Sequence, residues 1–498
     1  MTISKDNLTN IRNENVIIPD SALLNLPEKV LQFGTGVLLR GLPDYFIDKA
    51  NRKGVFNGRV AVVKSTSKGD LKDFTVQDGL YTICVRGLEN GENVKENIIS
   101  SSISRVLSAD NDWNEILKIG QSPDLQIVVS NTTEVGIVLL KESIELAPPA
   151  SFPAKLLAVL YARYKALGEA KEADVVIIAT ELIPDNGKKL ASIVFELAVF
   201  NELEPEFVNW LKAHAHFCNS LVDRIVPGKP DEATLQSLEE QLGYNDNLLI
   251  MAEPYRLWAI EGDEKVAELL SFKEVDKGVI VKPDIEIYRE LKVRLLNGSH
   301  TLSSGIAFLA GIDTVANAMA DQAIRSYTTN VMQSEIVPAI PYEVPGDEAM
   351  VFSAAVLDRF ANPYIKHLWI NITFQYTMKM KIRILPVLNQ YYKLFNKVPV
   401  SIAFGFAAFL RFMRSHKKEE NQYFGQYDGK EYLITDDQAA YFYEKSKLSE
   451  ADYVKAVLSD QQLWETNLSD FEDFIKSVEE NYNNIIAFGI KEALTKVK

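Results

Sequence analysis

The stretch Lys29-Val-Leu-Gln-Phe33-Gly34-Thr35-Gly36-Val-Leu-Leu-Arg40-Gly41 limits this chain to a narrow set of folds. A short apolar strand runs into a Gly-x-Gly turn, and helical spacing follows through Tyr45-Phe46-Ile47. Glycine lets a backbone turn tightly and approach a pyrophosphate, whose charge then sits at the N-terminus of the next helix. Phe33, Gly34, Thr35 and Gly36 form the candidate cradle. The complete Gly-x-Gly-x-x-Gly pattern needs glycine at 39, where Leu39 stands. A tight turn without a nucleotide therefore competes with a dinucleotide site.

The segments beyond the turn favour the nucleotide. A second strand, residues 59–63, ends in Lys64-Ser65. Sites for NAD often carry an acid there for the ribose hydroxyls. None occurs before Asp70, so Lys64 and Ser65 leave NAD and NADP both open. Strand signals at 80–85, 125–130 and 173–178 alternate with helical periods at 113–119 and 153–167. Apolar strands alternating with helices predict a doubly wound parallel sheet, with ligands beyond the carboxyl ends of its strands. Asn131, Thr132 and Glu134 fall at one such end, and the cluster 181–187 at another. Ordinary β–α turn residues are the alternative for each.

Residues 1–27 read as a polar, irregular arm and 190–225 as helical. His214 and His216 lie two apart, which on a helix turns them about 200° from each other and disfavours chelation of one ion. We expect no metal. A strand at 248–251 closes the N-terminal region, and 270–284, with Gly278 and Pro283, make the boundary. The predicted organisation is α/β: a Rossmann-like domain over 1–278, then a mostly α-helical domain over 279–498. Residues 402–410 read as a buried helix and 417–470 as peripheral surface helices.

The helical half holds Lys292-Val-Arg-Leu-Leu-Asn297-Gly-Ser-His300. On an α-helix Asn297 lies about 140° and His300 about 80° from Lys292, so the three share one broad face. An amine, an amide and an imidazole together suit proton movement at a carbonyl or alcohol. A surface lysine, a capping Asn-Gly and a buried histidine fit the same spacing. Lys379-Met-Lys381-Ile-Arg383 is a local cationic cluster, either a solvated face or a clamp for carboxylate or phosphate.

Across 498 residues the net charge is −15, which argues against nucleic acid and anionic membranes as partners. The N-terminus lacks an apolar signal core, and no apolar run is long enough to span a bilayer. Cys84 and Cys218 cannot build a disulfide framework. A cytoplasmic protein is the expectation.

These residues together resemble the polyol-specific long-chain dehydrogenase/reductase family, which includes mannitol 2-dehydrogenase. Its signature Lys-x4-Asn-x2-His is matched by Lys292, Asn297 and His300. Gly34-Thr-Gly36, Gln77-Asp-Gly-Leu-Tyr81-Thr, Asn186-Gly187, residues 217–227 and Arg359-Phe-Ala-Asn362-Pro363 follow in the family's order. Residues 130–136, 252–255 and 296–301 are similar to family members that act on hexuronates. The resemblance implies NAD-dependent hydride transfer without a metal. Lys292 would be the general acid/base, Asn297 and Asn186 would stabilise the alkoxide, and His300 would orient the substrate. Mannitol-type members usually have an acid where Arg289 stands and an arginine near Asn371, so a small sugar acid is the expected partner. Lys379, Lys381 and Arg383, with Arg289 behind them, are the candidate carboxylate ligands. A monomer or small homo-oligomer is expected. The alternatives are a neutral polyol or a sugar phosphate as substrate, or a nicotinamide-binding regulator without turnover.

Overall fold

The computed structural model describes residues 1–66, 69–132 and 135–497. Backbone contacts divide it into two compact units, residues 1–87 with 93–285 and residues 88–92 with 286–498.

The first unit opens with β1 (Glu28–Phe33), β2 (Arg59–Lys64), β3 (Tyr81–Glu89), β4 (Glu92–Ser100) and β5 (Ile103–Ser108). It continues with β6 (Ile127–Ser130), β7 (Val175–Ala179) and β8 (Ala215–Cys218). Six of these form a parallel sheet in the order β5-β2-β1-β6-β7-β8. The order reverses at β1, which pairs with β2 on one side and β6 on the other. Alternate side chains enter two cores. Leu31, Phe33, Ala61, Val63 and Val128 pack under the helices Ala109–Gln121, Phe152–Leu167, Asn186–Phe200 and Pro205–His214. Val30, Val60, Val62, Ile127 and Val129 face the opposite core, which includes helix Pro43–Arg52. With both faces covered, the strands need no polar side, which is why β2, β6 and β7 read as apolar runs.

Three expectations for this unit change. Residues 1–27 are not a loose polar arm. They fold as turns Lys5–Asn10 and Ser21–Asn25, and Ile3, Leu8, Ile11 and Val16 are buried with Leu238, Leu242 and Leu249. The stretch 190–225 is not all helix. It ends in β8 and β9 (Ser220–Asp223), because β7 leaves an edge that β8 pairs and β9 finds an antiparallel partner. His216 therefore lies on a strand. Nor is 248–251 the last strand: β10 (Ile250–Ala252) is followed by β11 (Leu257–Glu261) and β12 (Val279–Lys282), with β11 between β12 and β9.

The second unit is mostly helical. Helix Val400–Met413 is buried around nearly its whole circumference, with Ser299–Leu309 and Glu472–Phe488 packed against it. Buried Glu335 accepts hydrogen bonds from the amides of Ser401 (2.7 Å) and Ile402 (2.8 Å), capping its first turn. Residues 415–434 depart from the expected helices. They form an antiparallel sheet of β13 (Ser415–Glu419), β14 (Gln422–Tyr427) and β15 (Lys430–Ile434). Asp428 and Gly429 between β14 and β15 both have positive φ, the two-residue turn that closes a hairpin. Three segments of this unit are π-helical: Lys292–Gly298, Val331–Ile336 and Met380–Ile384. No helix among the described residues is long and apolar enough to cross a membrane.

Candidate functional site

In the first unit, strand register lines up the nucleotide candidates. Phe33 pairs with Val63 and with Ser130, and Ser130 with Ala179. The turn at 34–36, Lys64-Ser65, Asn131-Thr132 and Thr180 onward therefore leave the sheet along one carboxyl edge. Gly34 has φ +133°, and a Cβ there would stand 3.0 Å from the Asn131 carbonyl oxygen. Only glycine lets β1 turn this close to the end of β6. A Cβ at Gly36, which precedes helix Val37–Gly41, would meet open space.

The strand ends are cross-linked. Ser130 Oγ donates to the Glu181 carboxylate at 3.2 Å, and Thr132 donates to it through its amide (2.8 Å) and hydroxyl (3.0 Å). Asn131 Nδ2 donates to Thr180 Oγ1 at 2.9 Å. Lys64 Nζ donates to the Thr66 carbonyl at 2.7 Å. Ser65 Oγ is buried without a partner, an orphan hydroxyl at the end of β2. Glu134 lies outside the described residues.

Asn186 uses its whole side chain in holding the turn that follows β7. Nδ2 donates to the carbonyls of Glu181 and Ser220, both at 3.0 Å. Oδ1 accepts from the amides of Gly187 and Ser220, both at 2.9 Å. A hydrogen bond from Asn186 to a substrate oxygen requires one of these to be released. Gly187 beside it has no room for a side chain: a Cβ would fall 2.3 Å from the Cys218 backbone.

In the second unit, Lys292 and Asn297 lie on a π turn, not on the α-helix that their spacing suggested. Hydrogen bonds from i to i+5 widen the turn, so residues five apart come nearer to one side. Both side chains are half-buried. His300 follows on helix Ser299–Leu309 and is 8% exposed. Its ring stacks on Phe360 with centroids 3.9 Å apart and planes 7° apart. His367 (5.2 Å) and Trp369 (5.8 Å) meet it edge-on. His300 Nε2 is buried without a hydrogen-bond partner. Burial, and then His367, Arg359, Arg383 and Lys379, push the imidazole well below the usual histidine range, so it is neutral.

The cationic cluster divides. Lys379 is half-buried, donates to the Ile372 carbonyl at 2.8 Å, and is pushed down to about 8 by burial and by Arg383. Burial pushes Arg383 down to about 10; it donates to Thr301 Oγ1 (3.1 Å) and to the Asn297 carbonyl (3.3 Å). Both cations act electrostatically on His300. Lys381 instead pairs with Glu465, which is exposed. Arg289 pairs with Glu286 at 2.7 Å.

Sequence reasoning passed over His367 and Arg294. His367 is one of five histidines in the chain, and its place four residues after Pro363 in the Arg359–Pro363 motif was the available signal. No group of three or more His, Cys, Asp or Glu side chains suited to a metal ion occurs among the described residues.

Residues 28–274 match the mannitol dehydrogenase Rossmann domain, and residues 284–486 the mannitol dehydrogenase C-terminal domain. An altronate oxidoreductase of Halalkalibacterium halodurans is 38% identical over 483 residues, covering 95% of this chain and 93% of that protein. One of Bacillus subtilis is 36% identical over 474 residues, covering 94% and 95%. Among solved structures, Pseudomonas fluorescens mannitol 2-dehydrogenase in ternary complex with NAD and D-mannitol superposes with a TM-score of 0.66. It shares 22% identity over 100% of this chain and 99% of that one. D-sorbitol dehydrogenase in substrate-free form gives 0.77 at 19% identity, over 99% and 100%. With both domains matched and relatives aligned along nearly its whole length, the chain belongs to the mannitol dehydrogenase family.

Proposed function

We propose that this protein is an NAD-dependent oxidoreductase that interconverts D-tagaturonate and D-altronate. The observation that carries the substrate is the set of near-full-length relatives named altronate oxidoreductase, at 35–38% identity. The desolvated pair Lys379 and Arg383 near a neutral imidazole supports it, because a hexuronate brings a carboxylate that a neutral polyol lacks.

The first unit fits a dinucleotide. The open space at Gly36 gives a pyrophosphate access to the turn, and the orphan Ser65 hydroxyl offers a hydrogen bond to a ribose. Lys64 is already engaged with Thr66, which favours NAD over the 2′-phosphorylated form. The nicotinamide, when bound, supplies or accepts the hydride.

The remaining chemistry belongs to this chain's side chains. Lys292 takes the proton from the substrate hydroxyl on oxidation and returns it on reduction. Asn297 donates to the substrate oxygen as charge develops there. His300, kept neutral by burial and stacked flat on Phe360, offers its unpartnered Nε2 to a substrate hydroxyl. Lys379 and Arg383 hold the carboxylate. Asn186 keeps the turn after β7 in shape.

A panel of D-tagaturonate, D-fructuronate, D-fructose and a ketose phosphate, each with NADH and NADPH, tests the assignment through the absorbance of reduced nicotinamide. D-tagaturonate with NADH should give the highest kcat/KM; a preference for fructose or the phosphate refutes it. Lys292→Ala should lower kcat by about 10²–10⁴-fold while NADH still binds.

A further inference from the structure

Two of the π turns in the helical unit hold each other. Arg294, inside the turn Lys292–Gly298, sends Nη1 across to the carbonyls of Ile382 (2.5 Å) and Arg383 (3.2 Å) in the turn Met380–Ile384. Arg383 sends its own Nη1 back to the Asn297 carbonyl and to Thr301 Oγ1. Where a helical ladder changes from i→i+4 to i→i+5, carbonyls near the change tilt out of line and take side-chain donors. Here each turn takes them from the other.

Glu290 fixes the plane of the Arg294 guanidinium. It accepts Nε at 2.9 Å and Nη2 at 3.2 Å, a bidentate pair. Arg294 is 8% exposed and its donors are engaged with Glu290 and the two carbonyls, so it has no role as a substrate ligand. One of the joined turns bears Lys292 and Asn297. The other bears Arg383 and follows directly on Lys379.

We infer that Arg294 is a positioning residue for hydride transfer: through Ile382 and Arg383 it holds the turn of Lys292 and Asn297 at a fixed offset from the turn of Lys379 and Arg383. The inference rests on the proposed function for the identity of those four groups. A lysine at 294 has a single charged nitrogen and keeps at most part of the contact, and methionine keeps the bulk without any donor.

The test is Arg294→Met and Arg294→Lys in the full chain. Steady-state rates are measured with the best substrate of the panel, NADH affinity by fluorescence titration, and amide hydrogen exchange by mass spectrometry. Arg294→Met should lower kcat by about tenfold or more, since misplacing a catalytic group by about 1 Å costs up to 10² in rate. NADH affinity should stay within about twofold, and Arg294→Lys should recover part of kcat. Amides over 297–302 and 380–385 should exchange faster, with β1 and β6 unchanged. A variant with wild-type kcat per folded molecule, or with slowed turnover and unchanged exchange over both turns, overturns the inference. If the wild-type protein reduces none of the sugar acids, the proposed function fails. The exchange comparison then decides on its own whether Arg294 holds the two turns.

Discussion

The depressed ammonium of Lys379 gives a pH dependence whose direction is fixed. With a value of about 8, Lys379 carries its charge at neutral pH and loses it as pH rises through that value. If the ammonium holds the substrate carboxylate, only the charged form binds well. The charged fraction falls from about 0.9 at pH 7 to about 0.1 at pH 9, so KM for the sugar acid should rise about tenfold across that interval. Burial lowers both His300 and His367 from the ordinary histidine value, away from this interval. Arg383 remains charged to about 10, so the change is assigned to Lys379. A charge-assisted hydrogen bond contributes about 2 kcal/mol, so Lys379→Met should raise KM about 30-fold at neutral pH and flatten its pH dependence. Initial rates at a series of pH values, with NADH saturating, measure both. A KM that stays level from neutral to alkaline pH, or a Lys379→Met variant with the wild-type profile, refutes the assignment of Lys379 to the carboxylate.

Two further substitutions separate neighbouring features of the sequence. Lys381 differs from Lys379 in facing exposed Glu465, so Lys381→Ala should leave KM within about twofold of wild type and cost at most about 1 kcal/mol of stability in urea unfolding. Gly187→Ala puts a methyl group against the Cys218 backbone and should destabilise the first unit by about 1–3 kcal/mol, read from the midpoint of urea unfolding.

Much of the sheet was legible because buried parallel strands leave a plain trace: β2, β6 and β7 are built on apolar runs and β1 on one that only Gln32 interrupts, each followed by glycine or polar turn residues. β8 and β13–β15 were not, because Ala-His-Phe-Cys and Ser-His-Lys-Lys-Glu carry little strand propensity and are set by their partners. The N-terminal arm misled for a related reason. Ile3, Leu8, Ile11 and Val16 are spaced irregularly through polar sequence, and periodicity does not register them.

The same limit applies to the candidate site. Lys292, Asn297 and His300 were visible as a set, but an α-helical wheel was the wrong ruler for a π turn, whose register nothing in local spacing announces. Spacing does not reach Glu465, which lies 84 positions from Lys381 and pairs with it. It could not show that Asn186 is fully hydrogen-bonded, since Ser220, its partner, lies 34 positions away.

The burial of the N-terminal arm has a consequence for how the chain is made. Ile3, Leu8, Ile11 and Val16 leave the ribosome well before Leu238, Leu242 and Leu249, which cover them and are translated roughly 230 residues later. At about 5–20 residues per second the arm waits on the order of 10–50 s before its cover exists. Over that interval a nascent first domain with a paired sheet still shows an open apolar seam, to which a holding chaperone can bind.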